Sequence, residues 1–178
     1  ERTLAVDMEV LGPKHPYTAV SNNSLGALLV SMGDLATAKR YFEQALAIQE
    51  EVLGPKSTAA AKSLNNLGYL AQAMGNLAEA KQYFERALAI QEEVLGPKHS
   101  DTANSLNNLG YVLQAMGDLD VAKPYFDRAL TIREESLGPK HADTALSLNR
   151  LGGWQQAMGN PAAAKPYFER ALAILVQT

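Results

Sequence analysis

Apolar residues recur along this chain at helical spacing, in two kinds of stretch that alternate four times. In one kind, Leu77, Ala80, Phe84, Ala87, Leu88 and Ile90 form a wide stripe, with Lys81, Glu85, Arg86 and Glu92 around it. That pattern predicts an amphipathic helix with one wet face. The stretch before it sets Leu64, Leu67, Leu70 and Met74 beside Gly68, with Asn, Tyr, Gln and Ala elsewhere. Two kinds of punctuation divide the stretches. Met-Gly-Asp/Asn recurs at Gly33-Asp34, Gly75-Asn76, Gly117-Asp118 and Gly159-Asn160. Its Gly suits the left-handed residue that ends a helix, and its Asp or Asn is expected to cap the next helix with its side chain. Pro161 fits the first turn of such a helix. Leu-Gly-Pro-Lys recurs at Leu11, Leu53, Leu95 and Leu137, where Gly closes a helix and Pro forbids its continuation. In the second unit the spacing predicts helix A over about residues 58–74 and helix B over about 77–95.

The period is 42 residues. All four Phe (Phe42, Phe84, Phe126, Phe168) and all four Ile (Ile48, Ile90, Ile132, Ile174) lie 42 apart, and the units beginning at Leu53 and Leu95 agree at 27 of 42 positions. Such an array reads as one continuous solenoid domain in which each unit packs on its neighbours. The register gives a partial helix B of a preceding repeat over 1–11, then repeats over 12–53, 54–95, 96–137 and 138–178. Glu1-Arg2-Thr3-Leu4-Ala5-Val6 aligns with Glu85-Arg86-Ala87-Leu88-Ala89-Ile90, so the chain reads as a fragment of a longer array. Leu175 and Val176, where a polar cap would be usual, suggest end-to-end association. Gly26, Gly68, Gly110 and Gly152 fall in mid-helix, each at a cost of about 1 kcal/mol relative to Ala. The expected reason is close approach of helix B, with Ala80 and its equivalents facing the notch. Pro124 and Pro166, some six residues into helix B, predict a mild kink or a 3₁₀ first turn.

A net charge of −3 provides no electrostatic footprint for nucleic acid. No apolar run approaches the roughly 18 residues needed to span a bilayer, and the opening stretch is not a signal peptide. Absence of Cys rules out disulfides and thiolate chemistry and fits a reducing compartment, so a cytoplasmic location is the expectation.

The chain resembles the tetratricopeptide repeat family, whose pattern is matched by Leu67-Gly68, Ala80, Phe84 and Ala87 and by their counterparts in every unit. It departs from that pattern where the family's early Trp is Leu64, Leu106, Leu148 or Asn22. Its mid-helix Tyr is Leu29, Ala71, Leu113 or Gln155, and its terminal Pro is Glu50, Glu92 or Glu134. The 42-residue unit is similar to the repeats of kinesin light chains and of many multi-repeat bacterial and fungal proteins. The resemblance implies an all-α, right-handed superhelical solenoid of antiparallel helix pairs, with helix A lining a concave groove and helix B the outer wall.

No residues converge on catalysis. His15, His99 and His141 share one loop phase beside helix starts, so they cannot meet at one metal ion. Glu50-Glu51, Glu92-Glu93 and Glu134-Glu135 read as a solvated face, Trp154 as core filler, and no cofactor or metal is implied. Candidate site residues lie on helix A: Asn65, Asn66, Tyr69, Gln72, Asn107, Asn108, Tyr111, Gln114, Asn149 and Arg150. An amide side chain can donate to and accept from the backbone of an extended peptide. The kinesin light chain resemblance implies this role for Asn66 and Asn108. Four such Asn supply only a few kcal/mol at about 0.5–1.5 each, so Tyr69 and Tyr111 are expected as apolar anchors. An alternative is that helix-interior Asn bonds to the neighbouring helix. The family's carboxylate clamp is matched only by Asn108 and Arg150, with Asn65 and Leu146 where cations are needed, and is rejected.

The expected function is a protein–protein interaction scaffold, not an enzyme, binding an extended segment in the helix A groove. It needs no nucleic acid or membrane. A self-assembling array without a groove ligand and the sensor arm of a signalling ATPase are the alternatives.

Overall fold

The protein, described by a computed structural model over residues 10–176, is helical, with no strand among the described residues. The helices are α1 (Pro16–Ser31), α2 (Leu35–Leu53), α3 (Thr58–Ala73), α4 (Leu77–Val94), α5 (Ser100–Met116), α6 (Leu119–Ser136), α7 (Ala142–Ala157) and α8 (Pro161–Leu175). Odd-numbered helices are the A helices and even-numbered ones the B helices, within two residues of the bounds expected from spacing. Residues 1–9 of the partial helix expected over 1–11 lie outside the described residues. The chain divides into two compact units, Glu1–Ile90 and Gln91–Thr178.

The A-to-B turn is one device used four times. Gly33, at φ +82°, donates its N–H to the Val30 carbonyl at 3.0 Å, and Asp34 N–H reaches back to the Leu29 carbonyl at 3.0 Å. These paired bonds satisfy the last carbonyls of α1, and the geometry requires a residue without Cβ at position 33. The following residue also starts helix B. The Asp34 carboxylate accepts from Thr37 N–H at 3.1 Å, and bonds from the Thr37 hydroxyl and N–H hold its carboxyl below the ordinary value. Asp118 and Asn160 make no such side-chain bond, contrary to expectation. The position of Thr37 is occupied by Val121 and Ala163, which offer no hydroxyl, and Ala163 N–H turns to the backbone carbonyl of Asn160 at 3.0 Å.

The B-to-A loop places a polar cap at each helix A. His15, His99 and His141 accept through Nδ1 from the N–H groups of Tyr17, Asp101 and Asp143 at 3.1–3.2 Å, and Ser57 serves the second repeat. Buried Thr18, Thr102 and Thr144 donate to the loop carbonyls of Gly12, Gly96 and Gly138 at 2.8–3.0 Å.

The core departs from expectation at the glycine notch. Ala80 is buried, but the group seated on Gly68 is the Phe84 ring: a Cβ at Gly68 would lie 2.5 Å from Phe84 Cε1. Gly26, Gly110 and Gly152 stand in the same relation to Phe42, Phe126 and Phe168, at 2.6–2.8 Å. A broad ring needs a helix surface without a side chain, whereas Ala fits against an ordinary one. Around these pairs sit clusters such as Ala38, Phe42, Leu67 and Leu70 in the first unit and Ala145, Leu148, Ala171 and Ile174 in the second.

No 3₁₀ turn appears at Pro124 or Pro166; α6 and α8 continue through both. Both prolines and the residues four before them are exposed, so water can satisfy the carbonyl that each proline leaves unbonded. The paired glutamates are ion-paired instead of merely solvated. Glu50 meets Arg86, Glu92 meets Arg128 at 2.5 Å and Glu134 meets Arg170 at 2.5 Å, linking successive B helices. Glu51 and Glu135 meet Lys14 and Lys98.

Candidate peptide-binding face

The A helices carry two polar systems, one inside and one open. In the first unit Asn23 donates through Nδ2 to Ser63 Oγ at 2.7 Å, and Ser63 donates to Gln49 Oε1 at 2.6 Å. Asn66 Nδ2 donates to Asn23 Oδ1 at 3.2 Å, so this chain stitches α1 to α3 and α2. In the second unit Asn107, 2% exposed, donates to Ser147 Oγ at 2.9 Å. Arg133 is also buried and donates to Ser147 Oγ, the Asp143 carbonyl and Asn104 Oδ1 at 2.5–2.9 Å. Asn107 therefore belongs to the joint between α5 and α7, not to an open face. A buried amide must find a partner, and the small Ser hydroxyl on the next A helix supplies one. Ser recurs at 21, 63, 105 and 147, which was the sequence signal for this joint.

The remaining candidates are partly open to solvent, except Asn108, which is buried. In the first unit Tyr69 is 49% exposed, with its ring edge-to-face with Phe84 at a centroid distance of 5.4 Å. Asn65, Asn66 and Gln72 are half-buried and Lys62 is exposed. In the second unit Tyr111, Gln114, Asn149 and Arg150 are half-buried, and the Arg150 guanidinium carbon lies 4.3 Å from the Tyr111 ring centroid. Trp154 is 6% exposed, as expected of core filler, and its Nε1–H donates to the Leu119 carbonyl at 2.8 Å.

One titratable cluster stands apart. Lys39 Nζ lies 2.9 Å from Glu79 Oε1, to which Tyr83 also donates at 3.2 Å. The Lys39 hydrogen bond is the largest cause holding the Glu79 carboxyl below its ordinary value; the same bond raises Lys39, and burial raises Tyr83. Among the described residues no group of three or more His, Asp or Glu is placed to hold a metal ion, and no helix is long and apolar enough to cross a membrane.

The stacked helix pairs, the glycine–phenylalanine contacts and the 42-residue register define a helical-repeat protein. The chain belongs to the tetratricopeptide repeat family, whose model matches residues 1–51, 20–93, 57–122 and 101–175. A search of the curated proteins returned no match. Among solved structures it is similar to BtubC (BKLC) from P. vanneervenii, at 26% identity and a TM-score of 0.79 over 92% of this chain; it spans 65% of that protein. It is similar to a Podosopora anserina putative kinesin light chain with nearly identical TPR-like repeats, at 26% identity and a TM-score of 0.75, covering 98% of this chain and 82% of that one. Aspartyl phosphate phosphatase F from Bacillus subtilis shares the fold alone, at 17% identity and a TM-score of 0.77, with coverage of 91% and 41%.

Proposed function

We propose that this chain is a non-enzymatic protein–protein interaction scaffold whose A helices bind an extended partner segment. The observation that carries the reading is Tyr69, a large aromatic left half-exposed among half-buried amides, although its ring is already anchored against Phe84. Aromatic residues with such amphipathic surfaces anchor interfaces at little conformational cost. Gln72 in the first unit, and Gln114 and Asn149 in the second, offer amides to a peptide backbone, whereas the Asn66 amide already donates to Asn23. Amide bonds alone fall short of the about 8 kcal/mol that micromolar binding requires, so Tyr69 and Tyr111 supply apolar contact.

A selection from displayed random short peptides tests this. Tyr69→Ala should weaken binding of the selected peptides by about tenfold or more while leaving the melting temperature near that of the parent. Asn107→Ala should lower melting with little change in affinity. Peptides that bind Tyr69→Ala as well as the parent would place their site elsewhere.

A further inference from the structure

We infer that Arg150 is a lid on Tyr111 with two seats: the tyrosine ring, on which it lies, and the Asn107 amide oxygen, to which it moves when a bound segment takes the ring. What lifts the lid rests on the reading of helix A as the peptide-binding face. In the first unit the amide chain runs in one direction. Asn66 Nδ2 donates to Asn23 Oδ1 at 3.2 Å, Asn23 Nδ2 to Ser63 Oγ at 2.7 Å, and Ser63 to Gln49 Oε1 at 2.6 Å. The second unit keeps the middle of that chain, with Asn107 Nδ2 donating to Ser147 Oγ at 2.9 Å. Its outer donor is changed, because the phase of Asn66 carries Arg150.

That change strands one acceptor and one donor. Asn107 is 2% exposed, yet its Oδ1 has no donor among the described residues. Arg150 Nε is shut from solvent and has no acceptor among them. These are the two positions that the repeat register pairs, since Arg150 follows Asn107 by the same 43 residues that separate Asn66 from Asn23. The guanidinium instead lies 4.3 Å from the Tyr111 ring centroid. A cation–π contact and a hydrogen bond are of comparable strength, while an unmet buried donor or acceptor is costly, so the two seats lie close in energy. The ring seat leaves both buried groups unmet; the amide seat satisfies both and bares the ring. Tyr69, at the phase of Tyr111 in the first unit, is 49% exposed, and Tyr111 is less so. The first unit therefore offers its aromatic anchor open, and the second holds its own covered. A segment that lays an apolar group on Tyr111 replaces the cation–π contact, and the displaced arginine completes the amide chain.

The two seats are tested without a peptide. Hydroxy-TEMPO, a soluble nitroxide, broadens the NMR signals of exposed groups. In Arg150→Asn, which restores the residue of two other repeats, its effect on the Tyr111 ring should rise to the level seen at Tyr69. Unchanged broadening at Tyr111 overturns the lid. Tyr111→Ala removes the first seat, and the Arg150 Hε should then show contacts to the Asn107 and Ser147 side chains in nuclear Overhauser spectra. Asn107→Ala should also lower the melting temperature further in Tyr111→Ala than in the parent, and Arg150→Ala should erase that excess. The Overhauser contacts need no change at Asn107, so the test stands even if Asn107→Ala unfolds. An Arg150 without those contacts in Tyr111→Ala overturns the second seat. Either failure leaves the peptide-binding reading intact. A display-selected peptide that shifts Tyr111 should carry the Arg150 contacts from the ring to Asn107. A peptide that shifts Tyr111 while Arg150 stays on the ring overturns the lifting. Failure to select any peptide overturns the lifting and the peptide-binding reading together, with both seats still standing.

Discussion

The Phe84 ring occupies the space that a Cβ on Gly68 would need, with Cε1 2.5 Å from that point. Gly68→Ala must therefore displace a fully buried ring. Overpacking costs about 1–3 kcal/mol, against which Ala regains up to about 1 in helix propensity, so we expect a net loss of about 1–2 kcal/mol in urea unfolding. Gly153 is the internal control: it is helical, its φ is not positive, and nothing lies within 4 Å of an added Cβ. Gly153→Ala should stabilise by about 0.5–1 kcal/mol. Two substitutions of equal effect would remove the notch from the account.

The joint between α5 and α7 makes a second prediction. Asn107→Ala leaves the Ser147 hydroxyl short of one donor and removes a buried bond, a loss of about 1–3 kcal/mol. A double-mutant cycle with Ser147→Ala should return a coupling energy of at least about 0.5 kcal/mol. Additive losses would mean that the two side chains do not act together.

Repeat number, turn chemistry and helix bounds were legible because each is written in residues with one physical use: Gly where φ must be positive, Pro where a helix must stop. Placement of polar residues inside a helix was less legible. Asn65 and Asn66 are adjacent and chemically identical, and spacing alone does not say which turns toward a neighbour. The Ser at 21, 63, 105 and 147 held that information, but only as a partner to be found across 40 residues. The ring on Gly68 was hidden for a similar reason. A mid-helix Gly announces a close approach without naming what approaches, and Phe84 lay one turn beyond the Ala80 that size suggested.

Acid should weaken the first unit through Glu79. Its carboxyl is held below the ordinary 4.5 by the Lys39 hydrogen bond, so the stabilisation is present above that value and is lost as pH falls through the lower, folded-state value. Lys39 is raised above 10.5, so its share is present below that pH and is lost as pH rises through the higher value. The pair is about a third exposed, so the contribution stays below about 1 kcal/mol. Glu79→Gln should flatten both limbs of the melting-temperature profile; a profile identical to the parent's would show that the pair carries no stability.

Trp154, the single tryptophan, reports on the second unit. Buried and bonded to the Leu119 carbonyl, it should emit at short wavelength when folded and shift to the red on unfolding. Trp154→Phe loses that bond and part of the ring volume, and should lower stability by about 1–3 kcal/mol.

The central claim, that the A helices bind an extended segment, is tested most directly by mapping NMR shifts on labelled protein as a display-selected peptide is added. The account predicts movement at Tyr69 and Gln72 for a peptide seated on the first unit, or at Tyr111, Gln114 and Arg150 for one seated on the second, with exposed B-helix residues such as Glu85 and Glu169 unmoved. Shifts confined to the B helices, or a protein for which no peptide can be selected, would contradict it.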